Sequence, residues 1–138
     1  MDGSNSPVPL TSEACWALLS STGVGRVAYS DRALPAIASV AFAVEGEHIL
    51  LLVGENSAQF PALRDTVIAF QAEQSAHVRG QDWSVSCVGK AVPFVRPAHG
   101  TTIATTVLAI DPDRLEGRLV RPLPLSRGLS GLPTAAAG

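Results

Sequence analysis

Between Gly25 and Gly54 the chain passes through three segments rich in Val, Ile and Ala, "GRVAYSD", "AIASVAFAVE" and "HILLLVG", separated by the turn signals "SDRALP" and "EGEH". β-Branched residues in partial alternation predict three strands, the last two forming a hairpin. Three further runs follow, "VIAFQAE", "DWSVSCVGKAVPFV" and "TIATTVLAI", with "AEQSAHVRGQ" and "RPAHG" as the loops between them. Helical patterning is confined to two short places. "TSEACWALLS", residues 11–20, begins with two N-cap candidates and an acidic first turn, and it puts Cys15, Leu18 and Leu19 on one face with Ala14 beside them. "SAQFPALRD" supplies a helical turn with Ser57 as its cap, Phe60 and Leu63 at i and i+3, and Pro61 in the first turn, where a helix tolerates it. Six strands with two short helices predict a mainly β fold, a closed or nearly closed six-stranded antiparallel barrel rather than a βαβ array.

Gly89 inside the longest strand and Pro93 near its end mark where a barrel strand has to bend or bulge. "DPDRLEG" reads as a turn with a brief helix capped by Asp111 and Pro112. A chain of 138 residues is in the range of one domain and buries about two-thirds of its unfolded surface. The expected layout is a loose N-terminus over residues 1–10, one barrel domain over 11–121 and a loose tail over 122–138. Gly, Ser and Pro at residues 2–9 and in "PLPLSRGLSGLPTAAAG" set those limits.

Composition removes several functions. Hydrophobic residues at 46% and charged residues at 16% describe an apolar globular chain, and a net charge of −2 gives no electrostatic footprint for nucleic acid. The nine Arg and the single Lys90 are scattered. No run reaches the roughly 18 apolar residues that span a bilayer, and "MDGSNSPVPL" has neither the basic start nor the apolar core of a signal peptide, so a soluble protein with no membrane partner is expected. Cys15 and Cys87 are too few for a disulfide framework and have no His or further Cys at metal-ligand spacing; a reducing, cytoplasmic home and no metal are expected. His48, His77 and His99 lie far apart and read as surface histidines. "GVGR" at 23–26 precedes a strand, whereas a nucleotide phosphate loop follows one and opens a helix.

The order of pieces, a helix with "CWALL", then "GRVAYSD", "SAQFPALRD", "VIAFQAE", "DWSVSCVGKAV" and "IDPDRLEGR", resembles the FMN-binding split β-barrel family related to pyridoxamine 5′-phosphate oxidase over roughly residues 11–120. Its most specific pieces here are Trp83, Ser84 and Val85 followed by Gly89, and Gly117 with Arg118. The resemblance implies a split barrel, a homodimer with two flavin sites at the subunit interface, and oxidation or reduction of a small molecule. It places the ribityl phosphate at Ala38, Ser39 and Val40, at Val53 and Gly54 on the strand end, and at Ser57, Ala58 and Gln59 in the following turn, with Trp83 and Ser84 as further cofactor contacts. The family offers an Arg or Tyr followed by Thr at that strand end and a Lys in the turn; this sequence has Val53, Gly54 and Gln59. Hydrogen bonds to a charged group contribute about 1.5–3 kcal/mol each, so two missing cations weaken phosphate binding by roughly 3–6 kcal/mol. Backbone N–H groups after Asn56 with the Ser57 hydroxyl, or Arg26, Arg64 or Arg79 from elsewhere, are the remaining groups for an anion, and Glu55 repels one.

Three functions stay open: an FMN-dependent oxidoreductase, a deazaflavin protein, and a split barrel without tight flavin binding. The last uses its dimer cleft for another small ligand, as a binding protein or as a cofactor-free catalyst in a biosynthetic pathway. For Trp83 and Ser84 the competing reading is plain alternation, with Trp83, Val85 and Cys87 on one face and Ser84, Ser86 and Val88 on the other. Cys87 reads as small core filler rather than a nucleophile, and Arg118 equally as an interface or a solvated arginine. Dimerisation is also expected because "ILLLV" at 49–53 has little polar alternation to leave wet.

Overall fold

Strands dominate the computed structural model, which describes residues 8–74, 82–97 and 104–120. The order is β1 (Val8–Pro9), α1 (Ser12–Leu19), β2 (Val24–Asp31), β3 (Leu34–Glu45), β4 (His48–Leu51), α2 (Phe60–Leu63), β5 (Thr66–Gln74), β6 (Asp82–Pro97), β7 (Ala104–Ile110) and β8 (Arg114–Val120). β2 to β7 are the six strands expected from the sequence. They pair in the order β6-β5-β2-β3-β4-β7, and β7 returns to β6, so the antiparallel ring closes on itself. β8, with β1 beyond it, hangs from the first half of β6 as an extra flap.

The ring closes because β6 exchanges partners along one edge. Asp82 to Val88 pair with β8, and Ala91 to Pro97 pair with β7, while β5 runs along the other edge from Trp83 to Ala91. The exchange falls at Gly89, where a Cβ would stand 2.7 Å from Ile110 Cγ2 and 2.9 Å from the Asp111 carbonyl oxygen. The expected bend is therefore a place where the β7–β8 link presses onto β6, fixed by the Asp113 amide donating to the Val88 carbonyl at 2.8 Å.

β8 corrects the brief helix expected in "DPDRLEG". The residues from Arg114 onward alternate instead, with Arg114, Glu116 and Arg118 exposed and Leu115, Gly117 and Leu119 turned inward. Gly117 lies so close to α1 that a Cβ would meet the Cys15 sulfur at 2.5 Å and Val85 at 3.1 Å. Val8 and Pro9, inside the stretch whose composition suggested a loose end, pair with Leu119 and Arg118, and the Leu10 amide donates to the Gly117 carbonyl.

The ring's interior is filled from every strand, with Val27, Phe42, Ile49, Leu51, Phe70, Leu108 and Ile110 among its buried residues. Phe42 and Phe70 meet edge to face with centroids 4.9 Å apart, a geometry worth about 0.5–1.5 kcal/mol beyond area burial. α1 starts at Thr11, whose hydroxyl accepts from the Ala14 amide, and it buries Cys15 and Leu19. α2 is a single turn that buries Phe60 and Leu63, as the i, i+3 spacing predicts. "ILLLV" does not supply a wet apolar surface: Ile49, Leu50, Leu51 and Val53 are buried within the chain and Leu52 alone of the five is exposed. β4 has both edges paired, to β3 and to β7, and Leu50 is covered although it faces away from the ring's interior.

The β3–β4 and β2–β3 hairpin turns are built differently. Gly46 occupies the left-handed region at φ 60°, which glycine enters without steric cost. The β2–β3 turn instead holds Arg32 and Ala33 there, at φ 54° and 67°, at a cost of roughly 1–2 kcal/mol for each side chain. Ala33→Gly should raise unfolding free energy by about 1 kcal/mol despite the added flexibility of the unfolded chain, read as a melting temperature a few degrees higher. An unchanged or lower melting temperature would show that the turn is not strained.

Candidate functional site

The strand-to-helix stretch after β4 is stitched by its own backbone. The Ser57 amide donates to the Gly54 carbonyl at 2.9 Å and the Phe60 amide to the Ser57 carbonyl at 3.2 Å. Ser57 is not the helix cap: Gln59 holds that position without a side-chain cap bond. The Ser57 hydroxyl donates to Gln59 Oε1 at 2.6 Å and accepts from the Gln59 amide at 3.2 Å. The polar groups expected to meet an anion are thus turned on each other. α2, four residues long, is also too short to supply an appreciable dipole.

No cation stands in residues 50–60, and Arg26 and Arg64, the described candidates to replace one, are paired. Arg26 bonds Glu73 at 2.7 Å and Arg64 bonds Asp65 at 3.2 Å, both pairs exposed; Arg79 lies outside the described residues. Exposed pairs of this kind contribute little and exchange readily. The donor set nevertheless fits a neutral group in this turn, and not a phosphate dianion.

Alternation divides the remaining expected positions. Ser39 and Ser84 face outward, whereas Val40, Val53 and Trp83 are buried, and Ala38 and, at the strand end, Gly54 are partly buried; Ala58 and Gln59 are exposed. Trp83, 5% exposed, packs in the core on the same face as Val85 and Cys87. Outward, Ser39 pairs in register with Arg26, Arg26 with Gln71, and Gln71 with Ser86, forming one polar row across β3, β2, β5 and β6. The Gln71 amide group donates to the Ser84 hydroxyl at 3.1 Å, so Ser84 joins the row's edge. Arg26, Gln71 and Glu73 were not singled out as partners of Ser39 and Ser84 from the sequence. Their signal is there as polar residues spaced by the strand period, Arg26 and Ser30 in "GRVAYSD" and Gln71 and Glu73 in "VIAFQAE".

A separate cleft of about 500 Å³ lies on the outer face of β4, β7 and the second half of β6, between Leu50, Val92, Phe94 and Ala109. It shares no residue with the positions above. His48 is exposed on its rim, and His77 and His99 lie outside the described residues. Among the described residues no group of His, Cys, Asp and Glu is placed to hold a metal, and no helix is long and apolar enough to cross a membrane.

Cys15 and Cys87 are free and buried. Desolvation raises the Cys15 thiol above its ordinary value and pushes that of Cys87 up to about 12. A thiol held so far up is unreactive at neutral pH, as expected for core filler. The folded state keeps the Cys87 proton longer than the unfolded chain does. Its stabilising contribution is therefore complete below about pH 8.5 and is lost as pH rises from there toward 12. Unfolding midpoints should fall more gently above pH 9 in Cys87→Ala than in the parent chain, and a thiol reagent should label Cys87 only after unfolding. Labelling of native Cys87 at neutral pH would contradict this assignment.

The comparisons with known proteins agree with this frame. A model of the family described as pyridoxamine 5′-phosphate oxidase matches residues 11–119. No curated protein matches the sequence. Among solved structures, an FAD-binding protein from Mycobacterium smegmatis superposes with a TM-score of 0.68 at 23% identity, over 84% of this chain and 100% of its own. An FAD- and heme-binding protein from the same organism gives 0.66 at 16% identity, over 93% of this chain and 78% of its own. An FAD-binding protein from Mesorhizobium loti gives 0.64 at 14% identity, over 85% and 98%. These structures share the fold, and the match across residues 11–119 sets the family: the chain belongs to the pyridoxamine 5′-phosphate oxidase family.

Proposed function

We propose that the chain is a flavin-dependent oxidoreductase that acts on a small molecule and works as a homodimer. The observation that carries this reading is the family match over residues 11–119, on a closed antiparallel ring of the six expected strands. Structural neighbours that bind FAD support a flavin. The flavin supplies the redox chemistry when bound, and the protein binds and orients it. Because residues 53–59 suit a neutral group, FMN gains little over riboflavin from this turn. Support for a second subunit comes from the outer face of β2, β3 and β5, where Val24, Ile37 and Val67 are 62%, 72% and 63% exposed. Two buried free thiols suit a reducing, cytoplasmic setting.

The same neutral turn favours a second reading, a split barrel that has given up tight flavin binding and uses its dimer cleft for another small ligand. A deazaflavin also carries phosphate and meets the same shortage of charge.

The absorbance spectrum of freshly purified protein, followed by titration with FMN, FAD and riboflavin, separates these readings. The expected result is saturable flavin binding with FMN and riboflavin within about a hundredfold of each other, or roughly 2.7 kcal/mol. A larger FMN preference would mean that cations from outside the turn rebuild the phosphate site. Binding of no flavin would leave the second reading. In solution at micromolar concentration the mass should be twice that of the chain; a strict monomer removes the shared-site arrangement.

Gln59→Lys tests the turn itself. A new ammonium at this exposed position also releases the Ser57 hydroxyl from Gln59. FMN affinity should rise by about 1–3 kcal/mol, the value of one charge-assisted hydrogen bond. Adding Glu55→Gln should raise it further by removing a competing partner for the lysine. If calorimetry finds no gain in either variant, the turn faces away from the cofactor.

A further inference from the structure

The cleft on the far side of the ring has the makings of a second ligand site. Leu50 on β4, Ala109 on β7 and Val92 on β6 are register partners in one row on the outer face. Leu50 is 1% exposed and Ala109 5%, while Val92 and Phe94 keep 39% and 40% of their surface free, so the cleft has a covered apolar floor and open apolar walls. Its volume of about 500 Å³ falls within the range of small-molecule sites, roughly 300–1,000 Å³.

Its rim carries both signs of charge. Glu45 is engaged by Arg96 at 3.3 Å. The side chains of Lys90, Asp111 and Asp113 line the cleft and have no ion pair or hydrogen bond among the described residues. Asp111 and Asp113 are held against β6 by the close approach at Gly89 and by the Asp113 amide bond to the Val88 carbonyl. The charged rim is therefore built on strands and a pinned link.

These charges restrict the occupant. An organic cation would match the two aspartates and be opposed by Lys90, and an organic anion would meet the reverse. A molecule with both charges and an apolar body answers all three groups at once. We infer that this cleft binds a small zwitterion with an apolar body, a free amino acid with a large apolar side chain. Its carboxylate meets Lys90, its ammonium meets Asp111 and Asp113, and its side chain lies against the open faces of Val92 and Phe94. The inference is independent of flavin binding, since no candidate cofactor residue lines this cleft.

Calorimetric titration of the full chain with L-phenylalanine, phenethylamine and 3-phenylpropionate tests it, because the three probes share a body and differ in charge. Phenylalanine should bind most tightly, by about tenfold over each singly charged probe, as one charge-assisted contact predicts. Lys90→Met should abolish its advantage over phenethylamine, and Asp111→Asn with Asp113→Asn its advantage over phenylpropionate. Phe94→Ala should weaken all three. The charged positions are exposed, and a melting curve on each variant checks its fold. Equal binding of the three probes, advantages unchanged in the variants, or no saturable binding of phenylalanine up to about 10 mM would each overturn the inference.

Discussion

The structure depends on one strand having two neighbours along a single edge. A strand edge presents a row of backbone donors and acceptors that must be paired or wetted. β6 is long enough to give its first half to β8 and its second half to β7. Closing the ring and attaching the flap are therefore one event, and both rest on the missing side chain at Gly89. The same exchange separates two outer surfaces. One carries the polar row of Ser39, Arg26, Gln71 and Ser86, and the other the floor of Leu50, Ala109 and Val92.

That division explains how a family frame can coexist with a turn that has no positive charge. Gly89 and Gly117 are hemmed in by neighbouring atoms, so substitution there displaces the link or α1. Gln59 and Glu55 stand exposed on a stretch held by backbone bonds. Their side chains can change without a cost to the ring. The residues that hold the ring together and the exposed side chains of this turn are thus physically uncoupled.

The ring strands were legible because alternation is local: a half-buried strand writes its two faces into its own residues. β8 was harder, since Asp111 and Pro112 announce a helix start and Gly117 a turn, while the pattern that makes a strand depends on Leu115 and Leu119 finding a core beside Cys15 and Val85. β1 is two residues long and is recognisable only by its partner. For the candidate site, contiguous positions such as 38–40 cannot all face one way, so Ser39 is exposed while Val40 is buried. The polar row is assembled from four strands and has no contiguous trace. "ILLLV" misled for a similar reason: being central in a ring is a property of β3 and β7 as well as of β4.

The pairing of β4 with β7 also has a consequence for biosynthesis. Ile49, Leu50 and Leu51 pair with Ile110, Ala109 and Leu108, which leave the ribosome much later. At about 5–20 residues per second, roughly three to twelve seconds pass between the two. Through that interval the nascent chain carries an apolar strand with one open edge, just behind a hairpin that has already formed the other. An unpaired apolar edge at residues 49–51 is thus an aggregation hazard of the unfinished chain, of the kind that chaperones exist to cover.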